Sequence, residues 1–268
     1  MKPSRITSRD NSLLHRARAV RDGKIKESIF VEGLRLCEEA LKSDLQVEAL
    51  IYSEEIARKQ RAAGLIEDLT KVSRKVASVS EKLLASIAYT KTPQGIVLLA
   101  SRPASDEANF NAKQPAAALL VIMHGINNPV NVGAILRTAE ATGVTGVIGT
   151  VNTSDPFSPK ALRGAMGSAF RLPVWEGATF SAVMDWCAAR SIRAICADIS
   201  GSKTLAEVDW RRPCALIVGP ESSGLSPEEI AATDEAVRIP MRGKIESLNA
   251  AVATGILLYE AARQNAQN

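Results

Sequence analysis

From residue 117 to the C-terminus the chain alternates strand-like and helix-like segments in strict order, and this order constrains the fold more than any other feature of the sequence. The run Ala117 to Met123 is continuously apolar, as strands buried on both faces are. A helix is expected over Val132 to Thr142 with Asn131 as its N-cap, then a strand over Val144 to Ile148. Ser158-Pro159 opens a helix in the cap-then-proline pattern. A strand over Arg171 to Trp175, a helix over Ser181 to Arg190 and a strand over Arg193 to Ala197 follow. Strands over Ala215 to Val218 and Val237 to Pro240, and a long helix from about Ser247 to Arg263, complete the series. Repeated units of this length predict an α/β fold with a parallel sheet covered on both faces. Ligands of such sheets lie beyond the carboxyl ends of the strands, so the chemistry is expected in the loops there.

Upstream, Ser28 to Ala100 reads as a small α/β domain with an apolar start at Ile29-Phe30-Val31. It continues with a helix through Leu34 to Leu41, a strand over Val47 to Tyr52, a second helix after Ser53, and strands near Val76 to Val79 and Ile96 to Leu99. The polar stretch Ser101 to Pro115 suits a linker, which divides the chain into 1–100, 101–115 and 116–268. The first 26 residues hold eight Lys/Arg against two acids, Asp10 and Asp22. Such a head either attracts a polyphosphate by counterion release or is simply a solvated terminus. No apolar run of about 18 residues occurs, so neither a membrane span nor a membrane partner is expected and a cytoplasmic location is. Cys37, Cys187, Cys196 and Cys214 form no CxxC pair and no ligand-like spacing with His15 or His124. Buried reduced thiols are expected, and no metal site.

Three loops of the second half carry polar groups in patterns that chemistry could use. In Asn128 to Ala139, Gly133, Ala134, Arg137 and Ala141 fall on one helical stripe, so Arg137 projects from a face of small residues. A guanidinium there suits a phosphate or carboxylate, and an ordinary surface helix with a routine Arg explains the same residues. Gly219-Pro220-Glu221-Ser222-Ser223-Gly224-Leu225-Ser226 imitates the spacing of a phosphate-binding P-loop, but Leu225 stands where that motif needs Lys, and Glu221 would repel a triphosphate. A ligand with a positive or neutral group, such as S-adenosyl-L-methionine (AdoMet), fits better; a tight turn capped by Ser226 before a helix at Pro227 explains the glycines but not Glu221. The third loop, Met241 to Gly255, leads from a strand into a helix rich in small residues, with Ser247 as ligand contact or N-cap.

Taken together, Asn131-x-Gly133-x-x-x-Arg137-Thr138, Gly219-x-Glu221-x-x-Gly224-Leu225-Ser226, and Ile239-Pro240-Met241 with Ser247-Leu248-Asn249 resemble the three ordered motifs of the SpoU (TrmH-like) RNA 2′-O-ribose methyltransferases. The likeness spans about Leu119 to Glu260. Phe30-Val31-Glu32-Gly33 and Thr92-Pro93-Gln94-Gly95 are similar to the ribosomal-protein-L30e-like substrate-binding domain fused ahead of that catalytic domain. This resemblance implies a parallel-sheet SPOUT-type domain whose tail threads a deep trefoil knot, contrary to the usual absence of knots. It implies methyl transfer from AdoMet to a ribose 2′-hydroxyl, with the donor bent against the backbone around Gly219, Ile239 and Leu248 and with Met241 beside them. Arg137, Asn131, Glu221, Ser247 and Asn249 become the catalytic set, in a homodimer. The fused first domain favours 23S ribosomal RNA as substrate. A tRNA methyltransferase, a resistance-conferring rRNA methyltransferase and a non-catalytic ribosome-associated RNA-binding protein are the alternatives. Asn128, Ser222 and Ala165 depart from the family pattern, which often has Asp, Gly and Ser there.

Overall fold

The computed structural model describes residues 3–114, 118–220 and 222–266. In chain order its elements are β1 Ser4–Ile6, α1 Ser12–Arg21, β2 Ser28–Glu32, α2 Leu34–Leu41, β3 Val47–Ser53, α3 Gln60–Val72, β4 Lys75–Val79, α4 Glu81–Ile87 and β5 Ile96–Ser101. There follow α5 Glu107–Asn111, β6 Leu119–Met123, α6 Pro129–Ala141, β7 Gly146–Thr150, α7 Pro159–Ala165, α8 Ser168–Arg171, β8 Val174–Ala178, α9 Phe180–Ala189 and β9 Arg193–Ala197. β10 Lys203–Thr204, β11 Cys214–Val218, α10 Pro227–Ala231, β12 Glu235–Arg238 and α11 Ala250–Asn265 complete the chain. Two compact units result: residues up to Pro103 with Phe157–Arg171, and Ala104–Pro156 with Leu172 onward.

The first unit is a five-stranded mixed sheet in the order β1-β4-β3-β5-β2. Phe30, Ile51, Val79, Leu84 and Leu99 fill its core together with Leu14, Ala17 and Val20 of α1. The basic head is therefore folded, not frayed: β1 pairs in parallel with β4, and Asn11 caps α1 by accepting the Leu13 N–H. Several of its arginines turn to acids, with Arg5 against Glu54 and Arg16 against Glu48 at 2.7 Å and Arg21 against Asp22 at 2.8 Å. Lys2 of that head lies outside the described residues. The two upstream motifs meet: buried Glu32 accepts the N–H groups of Tyr89 (2.8 Å) and Thr90 (3.2 Å), and Gln94 Oε1 accepts the Leu34 N–H at 3.1 Å. Segment 157–171, read above as part of the second half, packs here instead. Gly167, at φ +98°, approaches Glu39 so closely that a Cβ would lie 2.7 Å from that side chain, and Arg171 pairs with Glu39 at 2.7 Å.

The second unit is a seven-stranded sheet in the order β10-β12-β9-β11-β6-β7-β8, and every pairing in it is parallel. Leu120, Ile122, Ile148, Cys196 and Ile217 of its strands face Trp186, Val183 and Phe110. Phe110 shortens the expected linker. It sits on α5, 1% exposed, and its ring occupies the space that a Cβ at Gly146 would need. The chain thus first passes from one unit to the other at Pro103, and residues 115–117 lie outside the described part.

The strand order holds one feature that periodicity does not show: β12 lies between β9 and β10, although β9 and β10 are joined directly by residues 198–202. That link crosses β12 in close contact. A Cβ at Gly201 would lie 2.8 Å from backbone atoms of Ala236, Val237 and Arg238. Asp198 N–H donates to the Val237 carbonyl at 3.0 Å, and the Arg238 guanidinium donates to the Gly201 carbonyl at 2.6 Å. All four cysteines are buried free thiols, and burial pushes Cys187 up to about 12 and Cys214 up to about 11. Among the described residues no helix is long and apolar enough to cross a membrane, and no group of His, Cys, Asp or Glu is arranged to hold a metal ion.

Candidate active site

Beyond the carboxyl ends of β9, β11 and β12 lies a cavity of about 340 Å³, within the range of small-molecule sites. Gly219, Ile239, Met241 and Leu248, the four residues expected around a ligand, all line it, and so does Ser247. They come from two different loops, yet the parallel strands deliver both to one place. Gly219 is favoured by geometry, because a Cβ there would lie 3.0 Å from the backbone nitrogen of Leu225, where the loop folds back on itself. Leu225 is 7% exposed and belongs to the core, so the P-loop lysine position is occupied by an apolar plug.

Asp198 and Glu246 are the charged side chains of the described lining, which contains no Lys or Arg. The field in the cavity therefore favours a cation or a neutral ligand over a polyphosphate. Sequence reasoning missed Asp198, Ile199 and Glu246. A usable signal existed for the first two, which directly follow β9 at its carboxyl end. Ile199 stands 71% exposed at this site, an unusual position for a large apolar side chain.

The remaining expected residues sit on α6 and α11. The helix α6 begins at Pro129, earlier than read from the sequence, and its N-cap is Asn128, whose Oδ1 accepts the Val130 N–H at 3.0 Å. Asn131 is thus not the cap. Its side chain, inside the first turn and 6% exposed, accepts at Oδ1 the Nδ2–H of Asn249 at 3.2 Å. The same correction applies to α11, which starts at Ala250 with Asn249 as its cap, not Ser247. Asn249 Oδ1 takes the N–H groups of Ala251 (3.0 Å) and Val252 (3.3 Å) while its Nδ2 reaches Asn131. One asparagine therefore both starts α11 and ties it to α6. The helices approach closely where Gly255 faces the Thr138 methyl, 3.7 Å from where a Cβ would stand. Arg137 is exposed, and no side-chain hydrogen bond or ion pair holds it among the described residues. Glu221 lies outside the described residues.

Comparison with known proteins gives the family. Residues 118–259 match the SpoU rRNA Methylase family, and residues 14–98 match the MRM3-like substrate binding domain. An uncharacterized tRNA/rRNA methyltransferase of Synechocystis is 32% identical over 97% of this chain and 93% of its own. A 23S rRNA (uridine-2′-O)-methyltransferase of Streptomyces viridochromogenes is 30% identical, with 97% of this chain and 92% of its own covered. Among solved structures, the SpoU methyltransferase AviRb of Streptomyces viridochromogenes in complex with the cofactor AdoMet superposes with a TM-score of 0.85 at 29% identity, covering 96% of this chain and 99% of its own. The AdoMet-bound rRNA methyltransferase of Sinorhizobium meliloti gives 0.83 at 28% identity, covering 97% of each chain. The motifs, the strand order and these matches over nearly the whole length make this chain a member of the SpoU rRNA methylase family.

Proposed function

We propose that this protein transfers a methyl group from AdoMet to a ribose 2′-hydroxyl of RNA, with 23S rRNA as the substrate, and that it works in the cytoplasm as a homodimer. The observation that carries the reading is the cavity at the carboxyl ends of β9, β11 and β12, lined by Gly219, Ile239, Met241, Ser247 and Leu248. Its lining fits AdoMet: apolar side chains for the adenine, backbone groups of the surrounding loops for polar edges, and the Asp198 and Glu246 carboxylates facing a ligand that carries positive charge. The link 198–202 lying across β12 supports a trefoil-knotted chain whose tail continues beneath it toward α11.

AdoMet supplies a methyl carbon on a cationic sulfur. In the transfer the ribose oxygen bonds to that carbon as the carbon–sulfur bond breaks, its electron pair stays on sulfur, and the hydroxyl proton passes to water. The protein's share is orientation and charge stabilisation. Arg137 grips the phosphate beside the target ribose and stabilises the developing oxyanion; an arginine does not act as a base, since it keeps its proton in proteins. Asn131 and Asn249, held together, and Ser247 orient the ribose and Arg137, and Glu221 steadies its own loop or Arg137.

Calorimetry with AdoMet and ATP, followed by labelled methyl transfer to 23S rRNA, tests the reading. AdoMet binding, no ATP binding, and label in an alkali-resistant ribose are expected. Preferred ATP binding would restore a nucleotide-hydrolase function, and RNA binding without AdoMet binding would leave a non-catalytic RNA-binding protein.

A further inference from the structure

The carboxyl end of β6 carries a half-buried histidine that neither the motifs nor the cavity lining uses. The side chain of His124 is 14% exposed and both ring nitrogens are engaged, Nδ1 with Thr150 Oγ1 and Nε2 with Glu229 Oε1, each at 2.9 Å. A carboxylate only accepts hydrogen bonds, so Nε2 donates to Glu229. Glu229 uses its other oxygen to accept the Ser226 N–H at 2.8 Å, and its own N–H donates to Ser226 Oγ at 3.2 Å. His124, Glu229 and Ser226 thus form a chain that ends at the last residue of the loop 219–226.

That loop is a wall of the cavity, which Gly219, Pro220, Ser222, Ser223 and Gly224 line. Residues 222–224 are exposed, so the loop is held at its ends, by β11 and the turn from Gly224 N–H to Pro220 O on one side and by Leu225 and Ser226 on the other. His124 is linked to both ends, to Ser226 through Glu229 and to β11 directly. Its own N–H donates to the Val218 carbonyl at 2.9 Å, and the next residue, Gly125 at φ +61°, backs Pro220 so closely that a Cβ would stand 3.1 Å from the ring. The imidazole is wedged in place by the Phe180 ring, 4.8 Å between centroids and edge-on.

We propose that His124 is a positioning residue for the donor cavity, acting through Glu229 to fix the loop 219–226 against the end of β6. This rests on the cavity being the AdoMet site, but the loop's order can be read without any ligand. The experiment compares the full-length protein with His124→Ala, His124→Gln and Glu229→Gln. Hydrogen exchange of the Ser222–Ser226 amides and the AdoMet Kd and KM are measured alongside melting temperature. His124→Ala is expected to speed exchange in this loop while the β11 amides stay protected, and to raise AdoMet Kd and KM about tenfold or more with the RNA KM unchanged, as loss of a hydrogen bond to a charged group does. His124→Gln, whose amide N–H can reach Glu229, should recover most of the affinity. Glu229→Gln, which offers one acceptor oxygen to two donors, should fall between. Unchanged loop exchange in His124→Ala overturns the proposal, as does a loosened loop with unchanged AdoMet affinity or a general loss of folding that His124→Gln does not rescue. If the wild type binds no AdoMet while loop exchange still responds, the positioning role stands and the methyl-donor reading falls.

Discussion

Arg137 shows what a single residue contributes when its charge and its shape can be separated. It projects from the exposed side of α6, whose first turn is fixed by Asn128 and by the Asn131–Asn249 contact. Lysine at this position keeps the charge but replaces a planar fork of donors by a point. Arg137→Lys is therefore expected to lower single-turnover methyl transfer by about 100-fold, the low end of losing an oxyanion donor, while AdoMet affinity measured by calorimetry stays unchanged. Full activity would show that charge alone suffices. The sequence singles out residues of this kind because the proposed chemistry demands particular side chains at fixed spacing. The partnership of Asn131 with Asn249 was not legible, since it joins positions 118 residues apart, and both a capping and a binding role suit an asparagine equally. Glu246 escaped for the opposite reason: nothing in its local sequence distinguishes an acid facing a cavity from one facing water.

At the scale of elements, α11 depends on Asn249 for two separable purposes, its cap and its tie to α6. Asn249→Ala removes both, and about 1 kcal/mol of stability should disappear from a urea denaturation curve together with most methyl transfer. Asn249→Asp keeps an acceptor for the Ala251 and Val252 N–H groups but loses the donor to Asn131. It should retain stability and still lose transfer, and equal activity of wild type and Asn249→Asp would reduce the contact to architecture. Most elements were legible from their periodicity, with starts displaced by a few residues where two capping residues compete, as Asn128 and Asn131 do before α6 and Ser247 and Asn249 do before α11. The helix α1 was hidden because its arginines dominate a segment whose apolar period, Leu14, Ala17 and Val20, is short. The crossing of β12 by residues 198–202 was hidden more deeply: strand order is set by long-range pairing, and the one local trace of it is Gly201, where no Cβ fits.

At the scale of the whole molecule, α11 has two apolar sides and only one is buried within the chain. Thr254, Leu257, Leu258 and Ala261 are buried, whereas Val252, Ile256 and Tyr259 remain 51%, 37% and 71% exposed at spacings of four and three residues, which makes them one stripe. A helix apolar on both sides is expected to be covered on both. In the proposed homodimer a two-fold axis would set this stripe against the same stripe of a second copy, because isologous contacts reuse one patch. Sedimentation equilibrium should then give twice the chain mass at micromolar concentration. Tyr259→Asp combined with Ile256→Asp should give the single mass, since each copy would bring unpaired carboxylates into the contact, and the unfolding midpoint of the monomer fraction should change little because both positions face water within one chain. The AdoMet affinity of the doubly substituted chain decides what dimerisation is for. If it is kept while methyl transfer is lost, the second copy serves the RNA side of the reaction; if both are kept, the contact is structural; and if the substituted chain still sediments as a dimer, a different face is the interface.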